Sequence, residues 1–414
     1  MKLVKIPENR YDEYRMDVIF DGYKWDPQFL DNNTIAKHVL VLSEDEHQEL
    51  TSLVEKLGQE TEIAEKFINN NQKFSKKLKL SRKTRKQIHR ITNYDSNQHI
   101  RLMRFDFHPT IEGGWAISEV NSDVPGGFAE GSLMPKIAAQ LFNDEYSYVS
   151  FAEILINSIV SKVKPNGRIM LVHCTSYSDD RQVMQFIGDQ LTKLGFETIY
   201  GAADHVNFKD NYAYSILDNN EGIIDGIVRF NPMEWVVDIK PTNWYGYFNT
   251  LTPSCNHPIA VYTQSKRFPL IWDDLEREGI DLSTWRKLLP ETIEVKHSKN
   301  RTGFIYKPVW GRVGEGISIV EACRDDEYEK IMKEVKRHPN RYIAQSKFIS
   351  LPLLSEGKEY HVCLGAYYVD GNAAGYYARI SNTTRIDSHA ADIPVLIERK
   401  VKWQIKIYLE YGLH

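Results

Sequence analysis

The sequence predicts an α+β protein with an α/β subdomain inserted into it, and three observations carry that prediction. The run HIRLMRFDFHPTIEGGWAISEVNSD alternates apolar and polar residues on both sides of a Glu-Gly-Gly turn, the pattern of a β-hairpin. RIMLVHC at 168–174, an amphipathic stretch DDRQVMQFIGDQLTKLG and then FETIYGA read as the beginning of a βαβ unit. Beyond residue 303, FIYKPV, ISIVEA, RYIAQS, EYHVCLGAYYV and NAAGYYARI are short apolar strands around one charged helix near 325–337, an antiparallel layout.

Taken in order, residues 1–43 are mixed and aromatic-rich and read as an extended lead-in with little regular structure, closing on the apolar run Val39–Leu42. From Ser43, with acidic residues in the first turn, leucines and valines recur at helical spacing through Phe67, so cap and periodicity agree on a helix. KFSKKLKLSRKTRKQ at 73–87 is densely basic and reads as a solvated helix face. Residues 132–163 look helical, and GIIDGIVRF and PIAVYT add two apolar strands to the βαβ beginning, giving a parallel sheet over about 165–262. His173, Asp179, Asp180 and Arg181 follow its first strand, where turn and cap roles account for them. Trp244, Tyr245 and Tyr247 read as aromatic packing. The domain boundaries expected are therefore 1–98, 99–164, 165–262 and 263–414.

Composition narrows the function. The 414 residues are 42% hydrophobic and 26% charged with a formal net charge of −4, an ordinary globular balance that points away from nucleic acid or an anionic membrane as partner. Small molecules are the better expectation. Four cysteines, Cys174, Cys255, Cys323 and Cys363, lie far apart with no CxxC pair, which suits buried thiols in a reducing compartment. MKLVKIPENRYDEY lacks the apolar core of a signal peptide, and no apolar run approaches the roughly 20 residues that span a bilayer, so a cytoplasmic protein is expected.

Two stretches could carry chemistry. In YKPVWGRVGEGIS, Lys307 precedes Gly311, Gly314 and Gly316; glycines let backbone N–H groups close on phosphate oxygens while a lysine supplies charge. The spacing fits neither the P-loop nor the dinucleotide fingerprint, and a purely structural turn accounts for it equally well. On the hairpin, Asp106 and Glu119 can face each other across the ladder with Asn121 on the same face as Glu119. Three hard oxygen ligands then converge, as magnesium with nucleotide phosphates requires. A hairpin with one polar, solvated face accounts for the same pattern, although Arg104 adds a further polar group there. Asp123, in Asp-Val-Pro-Gly-Gly, reads as a turn residue.

The run Arg104 to Asn121, TQSKRFPLIWDD, YKPVWGRVGEG, YIAQSKFISLPLL and GAYYVDGNAAGYYARI, with DGYKWDP near the N-terminus, together resemble the glutathionylspermidine synthase family of ATP-grasp ligases over most of residues 15–397. The resemblance implies an ATP-grasp fold in permuted order, with the metal cluster ahead of the ATP lysines and an inserted α/β substrate subdomain. It implies Asp106, Glu119 and Asn121 as Mg2+ ligands, and Arg104 and Arg379 as the arginines that meet the phosphoryl and acyl-phosphate groups. Lys266 and Lys307 match the lysines that hold ATP phosphates, Gly311, Gly314 and Gly316 the lid over them, and Gln345 the adenine contact. The implied reaction is ATP-dependent amide formation between a small-molecule or peptide carboxylate and an amine, by a monomer or homodimer. Val313 departs from the family loop, where an acidic residue is usual, and the resemblance is to synthetase-type members, so an enzyme without the amidase domain of some members is expected. A phosphotransferase, or a non-catalytic nucleotide-binding protein, on the same fold is the alternative.

Overall fold

The computed structural model describes residues 1–91, 94–143, 145–237, 242–298, 303–311, 317–319 and 323–399. Its centre is an antiparallel sheet in the order Ala391–Ile393, Asn372–Ser381, Lys358–Val369, Leu102–Pro109, Trp115–Asn121, with Leu353–Ser355 pairing beside the long strand. Alternation dictates what each face meets. Met103, Phe105 and Phe107 point to a core shared with Leu50, Leu53, Leu57 and Ala64 of the helix Glu44–Asn70, while Leu102, Tyr367 and Val369 meet Phe151 and Leu155 of the helix Phe151–Lys162. The long helix begins where the sequence places it. Ser43 accepts from Glu46 N at 3.2 Å and Ser43 N donates to the Glu46 carboxylate at 2.8 Å, a complete capping box.

Register sets the functional row. Glu119 pairs with Asp106, Asn121 with Arg104, Asp106 with Gly365, Arg379 with Cys363 and Asp392 with Arg379, so acidic and basic side chains run across one face of the sheet. The hairpin expected from the sequence is thus present, with its facing carboxylates in register.

Two of the smaller sheets carry residues singled out in the sequence. Ser254–Cys255, Gly226–Arg229, Arg168–Val172 and Glu197–Gly201 form a parallel sheet in that order, covered by the helix Ser178–Lys193 through Val183, Met184, Phe186 and Leu191. Thr292–Glu294, Tyr342–Ser346 and Phe304–Pro308 form an antiparallel sheet carrying Gln345 and Lys307.

Five expectations fail here in whole or in part. Residues 1–43 are not an irregular lead-in: Lys2–Lys5 and His38–Leu42 pair, and Glu8–Phe20 is a helix. That helix buries Tyr11, Tyr14 and Val18, a stripe led by tyrosines whose hydroxyls hide it from an apolar periodicity. PIAVYT is helical, Pro258–Ala260 and then Val261–Gln264, because His257 caps the turn by accepting from Ile259 N at 3.1 Å and Pro258 sits at a helix start; a short buried apolar run has no decisive period. In ISIVEA, residues 317–319 are not a strand and 320–322 lie outside the described residues. Asp123 is more than a turn residue: it is about 1% exposed, receives Arg229 Nη1 at 3.0 Å as well as Nη2, and accepts from Met233 N at 2.9 Å, tying the hairpin's end to the parallel sheet. Of the cysteines, Cys255 is buried and the other three are partly exposed thiols.

The basic stretch forms two short helices, Lys73–Lys77 and Arg82–Ile88; Lys73 and Lys77 of the first pair with Glu278 and Asp274, and Lys79 between the two pairs with Glu294. Part of its charge is thus paired within the chain. Among the described residues no helix is long and apolar enough to cross a membrane.

Candidate functional site

A pocket of about 850 Å³ opens over the functional row, lined by Arg104, Asp106, Glu119, Asn121, Lys307 and Arg379 among others. Strand alternation brings the first four together on the hairpin. Arg104 forks onto Asp106, Nε to Oδ1 at 2.7 Å and Nη2 to Oδ2 at 3.1 Å, and its Nη1 donates to Gly126 O at 2.9 Å. Room for this side chain comes from Gly365 on the neighbouring strand, where a Cβ would stand 2.6 Å from Arg104 Cδ. Asn121 Nδ2 donates to Asp106 Oδ2 at 3.0 Å.

Glu119 is held from the other side. Lys266 Nζ lies 2.8 Å from its Oε2 and donates to Gly311 O at 2.6 Å. Lys307, about 3% exposed, donates to Ser118 O at 2.9 Å. The two carboxylates respond oppositely. Burial raises Asp106 beyond what Arg104 can offset, whereas for Glu119 the burial penalty is overcome by Lys266 and Lys307 and the carboxyl is held below its usual range. Burial also pulls the Lys307 ammonium down to about 8, against the opposing pull of Glu119.

The other expected residues divide. Arg379 stands on the same face, donating through Nη2 to Asp387 O with Nε 3.7 Å from Asp392 Oδ1. Gln345 is not on the large pocket's wall. It lines a small side cavity of about 30 Å³ with Glu119, Lys266 and Lys307, donates to Thr292 Oγ1 at 3.1 Å and leaves its buried Oε1 without a partner. Gly311 is placed by its contact with Lys266; Gly314, Gly316 and Val313 lie outside the described residues.

For a metal, the donor set is two carboxylates and one amide, hard oxygens of the kind magnesium takes from a protein. No group of three or more His, Cys, Asp or Glu side chains suited to an ion occurs among the described residues, so Asn121 is needed to complete the set. Both carboxylates carry cations of the protein, Arg104 on Asp106 and Lys266 on Glu119, which compensate their charge.

Sequence reasoning overlooked a second charged group on the pocket wall. Lys24 pairs with Asp26 at 2.6 Å, Asp392 at 2.7 Å and Glu130 at 3.1 Å. Its signal was DGYKWDP, which holds Lys24 and Asp26 together, but Glu130 and Asp392 lie too far along the chain to be read as partners.

The sequence matches the family model described as glutathionylspermidine synthase preATP-grasp over residues 7–398. No curated protein sequence matches it significantly. Among solved structures, a glutathione synthetase-like effector from Globodera pallida in its apo form aligns with a TM-score of 0.62 at 11% identity, covering 94% of this chain and 97% of that one. That likeness is one of fold. A protein provisionally named gamma-glutamylcysteine synthetase, from Methylobacillus flagellatus, aligns with a TM-score of 0.43 at 14% identity over 82% of this chain and 86% of that one.

Proposed function

The chain belongs to the glutathionylspermidine synthase preATP-grasp family, and from that membership and the chemistry of its pocket we propose that it is an ATP-dependent ligase joining a carboxylate to an amine through an acyl phosphate. The observation that carries the reading is the meeting of Arg104, Asp106, Glu119, Asn121, Lys307 and Arg379 on one pocket. A carboxylate and an amine do not condense in water; moving the γ-phosphoryl of ATP onto the acid creates a leaving group, and the amine then displaces phosphate. Such transfer needs alignment and charge neutralisation more than covalent help.

Each residue type has its part. Lys307 and Lys266 draw the triphosphate, and Gln345, with an unmet buried acceptor, offers a hydrogen bond to an adenine amino group. Asp106, Glu119 and Asn121 would hold Mg2+, which when bound supplies charge neutralisation between phosphoryl oxygens. Arg104, fixed by Asp106 and Gly126, presents a guanidinium of set orientation to the transferred group. Arg379 faces the acyl oxygens, where its planar fork can donate to a developing oxyanion.

Hydroxylamine tests this. After a metabolite-pool screen for ADP release has found an acid, hydroxylamine in place of the amine should trap the acyl phosphate as a hydroxamate, with ADP and phosphate released in step. ADP without hydroxamate would identify a phosphotransferase, and neither product a non-catalytic binder.

A further inference from the structure

Lys24 lies in a motif that the proposed reaction leaves without a role, yet it is about 2% exposed and at the pocket wall. Burial would lower its pKa, and Asp392, then Glu130 and Asp26, more than reverse that, so the side chain is a fixed cation. The carboxylate it meets most tightly in effect, Asp392, is shared. Oδ2 faces Lys24 Nζ at 2.7 Å, while Oδ1 accepts from Tyr377 OH at 2.7 Å and lies 3.7 Å from Arg379 Nε.

The same sheet contains the contrasting case. Arg104 meets Asp106, whose carboxylate among the described residues also accepts from the neutral amide of Asn121 at 3.0 Å but from no lysine, and closes on it as a fork at 2.7 and 3.1 Å. Arg379 is paired in register with Asp392 and does not close: 3.7 Å is well beyond the roughly 2.7–2.9 Å of a charge-assisted bond. Two things differ: Asp392 is already served by the Lys24 cation and by Tyr377, and Arg379 Nη2 donates to Asp387 O.

We propose that Lys24 is a positioning residue for Arg379: by occupying Asp392 it keeps the guanidinium, anchored through Nη2 on Asp387 O, from folding onto that carboxylate and leaves Nε and Nη1 available to the acyl oxygens. The inference rests on the role given to Arg379 above. It assigns to the N-terminal segment a part in catalysis made without touching substrate.

Crystal structures and kinetics of Lys24→Met, Lys24→Arg and the double variant Lys24→Met with Asp392→Asn test it. In Lys24→Met, Arg379 Nε should close to hydrogen-bond distance of Asp392, and kcat for hydroxamate formation should fall on the order of tenfold or more while KM for ATP stays within about twofold. Lys24→Arg should keep most of kcat. The double variant, which removes the carboxylate that would capture Arg379, should recover part of it, and these two variants carry the test if Lys24→Met does not fold. An Arg379 that does not move, an unchanged kcat in Lys24→Met, or a kcat lost equally in all three variants in step with melting temperature would overturn the proposal. Wild-type protein that releases ADP with no acid and amine would overturn the ligase reading itself, a result distinct from an active wild type and an equally active Lys24→Met.

Discussion

The two ends of the pocket ration charge in opposite ways. At the hairpin end, Asp106 and Glu119 share Arg104, Lys266 and Lys307; at the N-terminal end, Asp26, Glu130 and Asp392 crowd around Lys24, with Arg379 between the two groups. At each end one carboxyl is held down and another pushed up. Burial would raise both Glu119 and Asp392, but Lys266 with Lys307, and Lys24 with Arg379, reverse it. Burial does raise Asp106, which has Arg104 and the weaker pull of Arg379 but also faces the Glu119 carboxylate, and Asp26, which has a share in one lysine and reaches about 6. Burial is common to all four, so the balance of neighbouring cations and hydrogen bonds against neighbouring carboxylates decides the direction. On the proposed reading, a polyanion such as ATP would be drawn to the hairpin end and repelled from the other.

The largest expected effect removes the best-served carboxylate. Glu119→Gln should leave the circular dichroism spectrum unchanged and lower ATP turnover about 100-fold or more, with the Mg2+ dependence of what remains flattened. Wild-type turnover in this variant would mean that the hairpin end holds no metal, and the contrast between the ends would lose its functional meaning. Next is Arg379→Ala, which should lower kcat for hydroxamate formation about 100-fold while ATP affinity, measured by calorimetry, changes little. Lost affinity with an intact kcat would move Arg379 into the nucleotide site.

A smaller effect appears as pH is varied. Lys307 in the free protein titrates near 8, and phosphates favour its protonated form. Nucleotide binding should therefore take up a proton above pH 8, so affinity is flat below 8 and falls by up to about tenfold per unit above it. Lys307→Met should abolish that slope. Folding stability runs the other way: the folded pKa lies below the ordinary 10.5, the unfolded chain holds the proton between 8 and 10.5, and Lys307 adds stability as pH rises through that window.

How much of this was legible follows from range of interaction. The hairpin and the facing of Asp106 with Glu119 were readable because alternation and a Glu-Gly-Gly turn fix a register locally. The helix from Ser43 was readable because its cap and its apolar stripe lie in one stretch. The pairing of Lys24 with Asp392 joins residues 368 positions apart, and that of Asp123 with Arg229 joins residues 106 apart, contacts that leave no local pattern. Between these extremes stands Arg104: its position on the polar face was legible, but its closure on Asp106 depends on the space above Gly365, which only the strand order supplies.

The smallest effect sharpens the comparison most, because its sign distinguishes the ends. If Lys24 is over-subscribed, one of its carboxylates is held charged against its environment, and Asp26 is that group: burial, partly offset by Lys24, raises it from 3.8 to about 6. Between those values the folded protein binds the proton more readily than the unfolded chain, so stability falls as pH rises through the window and the loss is complete above 6. Asp26→Asn removes that ionisation. The variant should melt above wild type at pH 7, by only about 1–2 °C because the Asp26 side chain is 40% exposed and screened by solvent, and the difference should fade as pH is lowered toward 4. Asp392→Asn, which deletes a carboxylate held down by two cations, should melt below wild type at pH 7 and lose that deficit in acid. Differential scanning calorimetry across pH 4–8 reads both. If Asp26→Asn melted lower than wild type at pH 7, Lys24 would have charge to spare for all three carboxylates, and the excess that distinguishes the N-terminal end from the hairpin end would not exist.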